Sequence, residues 1–232
     1  MKSMTAQERN NMLLNDPVSR VIPKLAIPTI ISMLITNVYN MADTFFVSQI
    51  GTSASGAVGV IFSAMAIIQA FSFMIGMGSG THVSQALGAG DRERLKQGFR
   101  QATIASAVFS AVISALVFVF ANPLMRIFVQ AGETQVLAAG VLYLRVEGAC
   151  YVGIGCLFLL YGFYRAIKRP GMSVVLTVIS LGTRVVLAYL LAGPIGEIGI
   201  WIAIPIGWVL ADLTGYGYYF RHKQKLLPQE QK

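Results

Sequence analysis

Charge is what this sequence has least of. Only 12% of its 232 residues are Asp, Glu, Lys or Arg, while 55% are hydrophobic and the mean hydropathy is +0.65. So little polar surface cannot clothe a soluble domain of this size, which implies an integral membrane protein. Cysteine is nearly absent too. Cys150 and Cys156 fall six residues apart in one apolar run, where helical geometry sets them more than a turn apart. That spacing excludes a disulfide framework or a cysteine metal motif and leaves them as small apolar packing residues. The two histidines, His82 and His222, have no metal-ligand spacing, and no nucleophile stands beside a base. An enzyme reading therefore lacks residues, and neither a metal nor a cofactor is expected. Short alternating segments are missing as well, which excludes a transmembrane β-barrel.

What is present is a succession of long apolar runs. In hydrocarbon each must satisfy its backbone internally, so each is expected to be a helix. Six are predicted, over residues 22–48, 54–80, 100–121, 136–164, 172–192 and 199–220. The expected fold class is all-α, with six transmembrane helices in one bundle. Residues 1–20 form a cytoplasmic lead-in, 21–221 the membrane domain and 222–232 a basic cytoplasmic tail. The first run follows a charged segment, is too long for a signal-peptide core and has no convincing cleavage site after it.

The net charge of +8 is explained by where the basic residues stand. Fifteen lie before span one, between spans two and three, between four and five, or after span six; Arg126 alone lies in the opposite connections. This asymmetry predicts a multi-pass protein of the cell membrane with both termini cytoplasmic. It is topology rather than nucleic-acid binding. The partners expected are the lipid bilayer and a small molecule.

Punctuation along the chain adds detail. Asp16 with Pro17 reads as a helix start, and Pro28 inside span one predicts a bend, because proline deletes a backbone hydrogen bond and crowds the preceding turn. The glycine-rich stretch 76–91 follows no strand and lacks a phosphate-binding lysine, so a nucleotide loop is rejected. Close helix packing through Gly76, Gly78, Gly80 and Ser84 is expected instead, with Gly88, Ala89, Gly90 and Asp91 ending the helix. Residues 193–197 read as a tight external turn. Trp201, Tyr216, Tyr218 and Tyr219 read as interfacial belt residues.

The candidate site begins with a polar stripe. Ser32, Thr36, Tyr39, Asn40 and Asp43 share one face of span one at helical spacing, opposite Leu34, Ile35, Val38, Met41 and Phe45. A carboxylate at membrane depth costs at least about 2.5 kcal/mol and is commonly kept for ions or protons. Desolvation favours its protonated form and a bound cation its ionised form, so Asp43 suits exchange of one for the other. The alternative places Asp43 about 13 Å from the middle of the span, at 1.5 Å per residue, touching headgroups. Glu147 and Asp212 are further candidates for a cavity wall or substrate contact. Each could equally belong to a structural ion pair, with Arg184 as the partner. Arg145 and Glu147 are two apart and cannot meet on one helix. Gln69 reads as an interhelical hydrogen-bonding group or cavity contact.

Residues 23–51, from Pro23 through Asp43 and Thr44 to Gly51, together with the Gly88-Ala89-Gly90 turn, resemble the opening of the multidrug and toxic compound extrusion (MATE) family. The segments around Arg145, from Tyr164 to Leu191 and from Gly199 to Trp208 resemble its last spans. Family members carry about twelve spans in two lobes, so the chain looks half-length, its first part like the first two spans and the rest, beyond about residue 95, like the final four. The resemblance implies a proton- or sodium-coupled antiporter exporting amphipathic, cationic compounds, with Asp43 coupling the ion and Pro28 as hinge. With six spans it would work as a homodimer. It also implies Asn and Asp companions on span five, whereas residues 173–191 offer Arg184 instead. A flippase for a lipid-linked precursor, or a shortened relative without transport of its own, are the alternatives.

Overall fold

The computed structural model describes residues 12, 15–24, 26–27, 30–31, 33–34, 41, 48, 52–130 and 132–226. The candidates Pro28, Thr36, Tyr39, Asn40 and Asp43 lie outside the described residues. Among those described, regular structure is helical throughout, with six long elements: α1 Thr52–Gly88, α2 Arg92–Phe128, α3 Thr134–Gly148, α4 Tyr151–Ala166, α5 Pro170–Ile195 and α6 Glu197–Leu226.

Each boundary has a local cause. After Gly88, Gly90 takes φ +70°; its N–H bonds the Leu87 carbonyl at 3.2 Å and the Asp91 N–H reaches Ala86 at 3.0 Å. These two bonds satisfy carbonyls that a helix end otherwise orphans. Asp91 then caps α2, its Oδ1 accepting the Arg94 N–H at 2.9 Å. α4 ends in the same way, with Lys168 at φ +61° and the Arg169 N–H bonded to Tyr164 at 2.8 Å, before Pro170 opens α5. The predicted turn at 193–197 is tighter than expected. α5 continues through Pro194, and Gly196 at φ +60° is the whole connection to α6.

Apolar length and exposure fit the membrane reading. α2, α5 and residues 197–223 are long and apolar enough to cross a membrane. In α2 only 28% of the most apolar window is buried, so the rest of that greasy surface needs hydrocarbon around it. The fourth run differs from expectation: it is not one continuous helix over 136–164. α3 and α4 are separate helices bent by 53°, and together they would make one broken span. At the break the Cys150 N–H turns back to Glu147 at 3.0 Å and the Gly153 N–H to Cys150 at 2.9 Å, replacing the regular ladder with short turns.

α4 is central, packing against α1, α2, α5 and α6. The α1–α4 crossing is made backbone to backbone. A Cβ on Gly76 would lie 2.5 Å from the Phe158 carbonyl oxygen, and one on Gly162 would overlap the Gly76 carbonyl. Gly80 stands over Gly162 in the same way, whereas Gly78 points into open space. The small-residue seam therefore holds at Gly76 and Gly80 but not at Gly78, which lies off the contact face. α6 is held by the buried Tyr164, whose hydroxyl donates to the Gly215 carbonyl at 2.6 Å. Tyr164→Phe is expected to cost about 0.5–1.5 kcal/mol, read as a lowered thermal unfolding midpoint.

The belt reading fails for Trp201, which is 0% exposed and packs edge-on against Tyr143 at 5.3 Å. Tyr219 is also buried, against Phe99 and Phe163. Both sit at membrane-boundary depth in the sequence, but on the helix face that meets the bundle.

Candidate functional site

The polar groups inside the bundle come from stripes on otherwise apolar helices. On α2 the buried residues Phe99, Ser106, Ser110, Ser114, Val117 and Ala121 fall at helical spacing, so three serines four apart enter the packed face. Ser106 Oγ donates to the Gly155 carbonyl of α4 at 3.0 Å. Gly155 also sits directly against Ser110, where a side chain would collide with the hydroxyl. These serines were not picked out from the sequence, although their i, i+4, i+8 repeat is readable there.

Glu147 is 3% exposed near the end of α3. Tyr143, one turn earlier, has its hydroxyl within hydrogen-bonding reach of the Glu147 carboxylate and also 3.4 Å from Met65 Sδ of α1. Arg184 of α5 acts on the same Tyr143, and Tyr151, just past the break, lies within electrostatic range of Glu147. Glu147 and Arg184 both lie within electrostatic range of Tyr143. Arg145 is not part of this group. It is exposed, with its guanidinium 5.9 Å from the centre of the Phe118 ring.

Asp212 has different neighbours. It lies on α6 against Gly153, where a Cβ would approach its Oδ2 to 3.8 Å, and within electrostatic range of Cys156, Tyr161 and Tyr216. Its Oδ1 is buried with no hydrogen-bond partner among the described residues. Tyr161 connects onward to α5: its hydroxyl is 3.2 Å from Thr177 Oγ1, whose own hydrogen goes to the Ser173 carbonyl at 2.9 Å. The two carboxylates therefore occupy opposite ends of the α3–α4 break, each among hydroxyl groups that can donate to the ionised form or accept from the protonated one. Gln69 stands on an exposed face of α1 and meets neither.

The profile of the MatE family matches residues 28–190. The FAD transporter of Shewanella oneidensis is 27% identical over 223 residues, covering 91% of this chain and 48% of the relative. The probable multidrug resistance protein YoeA of Bacillus subtilis is 25% identical, with 84% of this chain and 42% of the relative aligned. The chain spans about half the length of the curated relatives it matches. Among solved structures, the outward-facing conformation of a multidrug resistance MATE family transporter of the MOP superfamily superposes with a TM-score of 0.83 at 23% identity. That superposition covers 99% of this chain and 50% of the other. A MOP superfamily transporter from Pyrococcus furiosus gives 0.82 at 22% identity, over 99% and 52%.

Proposed function

This chain belongs to the MatE family, and from that premise we propose that it is one six-crossing lobe of a proton- or sodium-coupled exporter of amphipathic cations. What supports the reading is that nearly the whole chain takes the fold of half a transporter. Two lobes facing each other across a central cavity are needed for alternating access, so the lobe acts with a second copy of itself. Both termini lie in the cytoplasm, on the side where the basic residues collect. Asp43 carries the coupling ion, Thr36, Tyr39 and Asn40 line the cavity beside it, and Pro28 lets span one bend. Glu147 and Asp212 are carboxylates inside the lobe that could serve the cavity, and Gln69 faces outward from it.

The test is flux of a cationic dye in proteoliposomes carrying the purified chain, with proton and sodium gradients imposed in turn, alongside oligomeric mass in detergent. Gradient-driven uptake by a dimer is the expected result. A monomer that moves no dye under either gradient overturns it and leaves the shortened, non-transporting reading in place.

A second substrate class is favoured by one observation. The relative from Shewanella oneidensis is described as an FAD transporter, and Arg145 is exposed on this chain. Competition of dye flux by FAD, but not by a second cationic dye, would assign an anionic dinucleotide as cargo.

A further inference from the structure

A groove of about 220 Å³ opens where the last turns of α1 meet the end of α4. Its floor is the close contact of Gly80 with Gly162, and its walls include Met77, Thr81, Ser84 and Arg165. On α1 these residues fall at positions 77, 80, 81 and 84, one face of the helix. No acid is among the described residues that line the groove. Arg165 is half-buried there, its only described charge contact being with the Tyr161 hydroxyl. The nearest acids in sequence along α1 and α2 are already engaged: Asp91 caps α2, and Glu93 pairs with Lys96 at 2.5 Å. Ser84 is exposed and makes no hydrogen bond among the described residues, while the Thr81 hydroxyl is spent on the Met77 carbonyl at 3.2 Å. A guanidinium fork with a hydroxyl donor beside it is the donor set that recognises a phosphate. Lys168 and Arg169 follow in sequence in the short loop to α5.

One more feature selects the source of the phosphate. The same α1 face continues away from the loops through the exposed Met77 and Met74, an apolar strip that a free phosphate would not use and an acyl chain would. Basic pockets between membrane helices on the cytoplasmic side are the usual seats of anionic headgroups.

We propose that this groove binds the headgroup of an anionic phospholipid of the cytoplasmic leaflet, with Arg165 and Ser84 holding the phosphate and the α1 face beyond Met77 holding the chain. The inference rests on the membrane orientation above, though not on transport.

The test uses the full purified chain, delipidated and returned to detergent with phosphatidylglycerol or phosphatidylcholine, with bound lipid counted by native mass spectrometry. One phosphatidylglycerol is expected to be retained selectively, and Arg165→Ala should weaken it roughly tenfold. Arg221→Ala, a basic residue on the same side but outside the groove, should leave it unchanged. Equal retention by Arg165→Ala and the unaltered chain overturns the proposal. So does an equal loss in Arg221→Ala, which would mean diffuse attraction. Displacement by millimolar inorganic phosphate overturns the lipid as the source. Should Arg165→Ala fail to fold, Ser84→Ala carries the same comparison: a severalfold weakening supports the site, and unchanged retention overturns it. Dye flux measured on these variants separates the inference from the exporter reading, because lipid retention is read without any transport.

Discussion

Asp43→Asn is expected to abolish gradient-driven export while the protein still inserts and purifies. The amide is close in size to the carboxylate and keeps its polarity, so packing is preserved, but it can neither release a proton nor neutralise a sodium ion. If the ion and the cargo are linked through this group, its loss removes their coupling free energy. Couplings of about 1–3 kcal/mol correspond to a roughly 5- to 150-fold change in cargo affinity with the ion, and without that change the gradient drives no net export. Asp43→Glu should retain part of the activity, because the charge survives and only its reach changes. The measurement is dye uptake in proteoliposomes normalised to inserted protein, with cysteine labelling from each side to verify orientation. Uptake by Asp43→Asn equal to that of the unaltered chain would remove Asp43 from the mechanism, whatever the fold.

The second large effect falls on folding. Gly162→Leu places a side chain where the Gly76 carbonyl already stands, and Gly76→Leu would strike the Phe158 backbone. Ordinary overpacking in a core costs about 1–3 kcal/mol. Here the obstacle is backbone on a second helix rather than a side chain that can rotate, so the cost exceeds that range and the α1–α4 crossing must open. The expected outcome is loss of the monodisperse peak on size-exclusion chromatography for both variants, with Gly162→Ala showing a lowered thermal midpoint. Gly78→Leu serves as the control, since nothing lies within 4 Å of its Cβ direction, and it should behave as the unaltered chain does. If Gly78→Leu were as damaging as Gly162→Leu, the crossing would not be the reason.

Much of this architecture was legible from residue order. The second to sixth apolar runs located α1 to α6, with the fourth run divided between α3 and α4, Gly90 and Asp91 marked the turn between α1 and α2, and Gly76 and Gly80 marked a close contact. What the sequence concealed has physical causes. Residues 136–164 are apolar but for Arg145 and Glu147, and hydropathy records the cost of exposing a segment rather than the continuity of its hydrogen bonds, so the break at residues 149–150 left no trace. Trp201 was misassigned because membrane depth says nothing about whether a side chain faces lipid or protein. Ser110 and Ser114 passed unnoticed because a spacing of four puts them on one helix face without saying whether that face meets protein or lipid. Tyr143, within electrostatic range of both Glu147 and Arg184, carries no charge to draw attention.

The interruption between α3 and α4 also creates a local field. Peptide dipoles of a helix add to about half a negative charge at its carboxyl end and half a positive charge at its amino end. α3 stops at Gly148 and α4 starts at Tyr151, so both poles are brought into the middle of the bundle instead of being left at its wet surfaces. The carbonyl pole lies at Glu147 itself, adding to that carboxylate's negative potential and making the spot hospitable to a positive charge, whereas the amide pole begins at Tyr151, two residues before Gly153, which packs against Asp212.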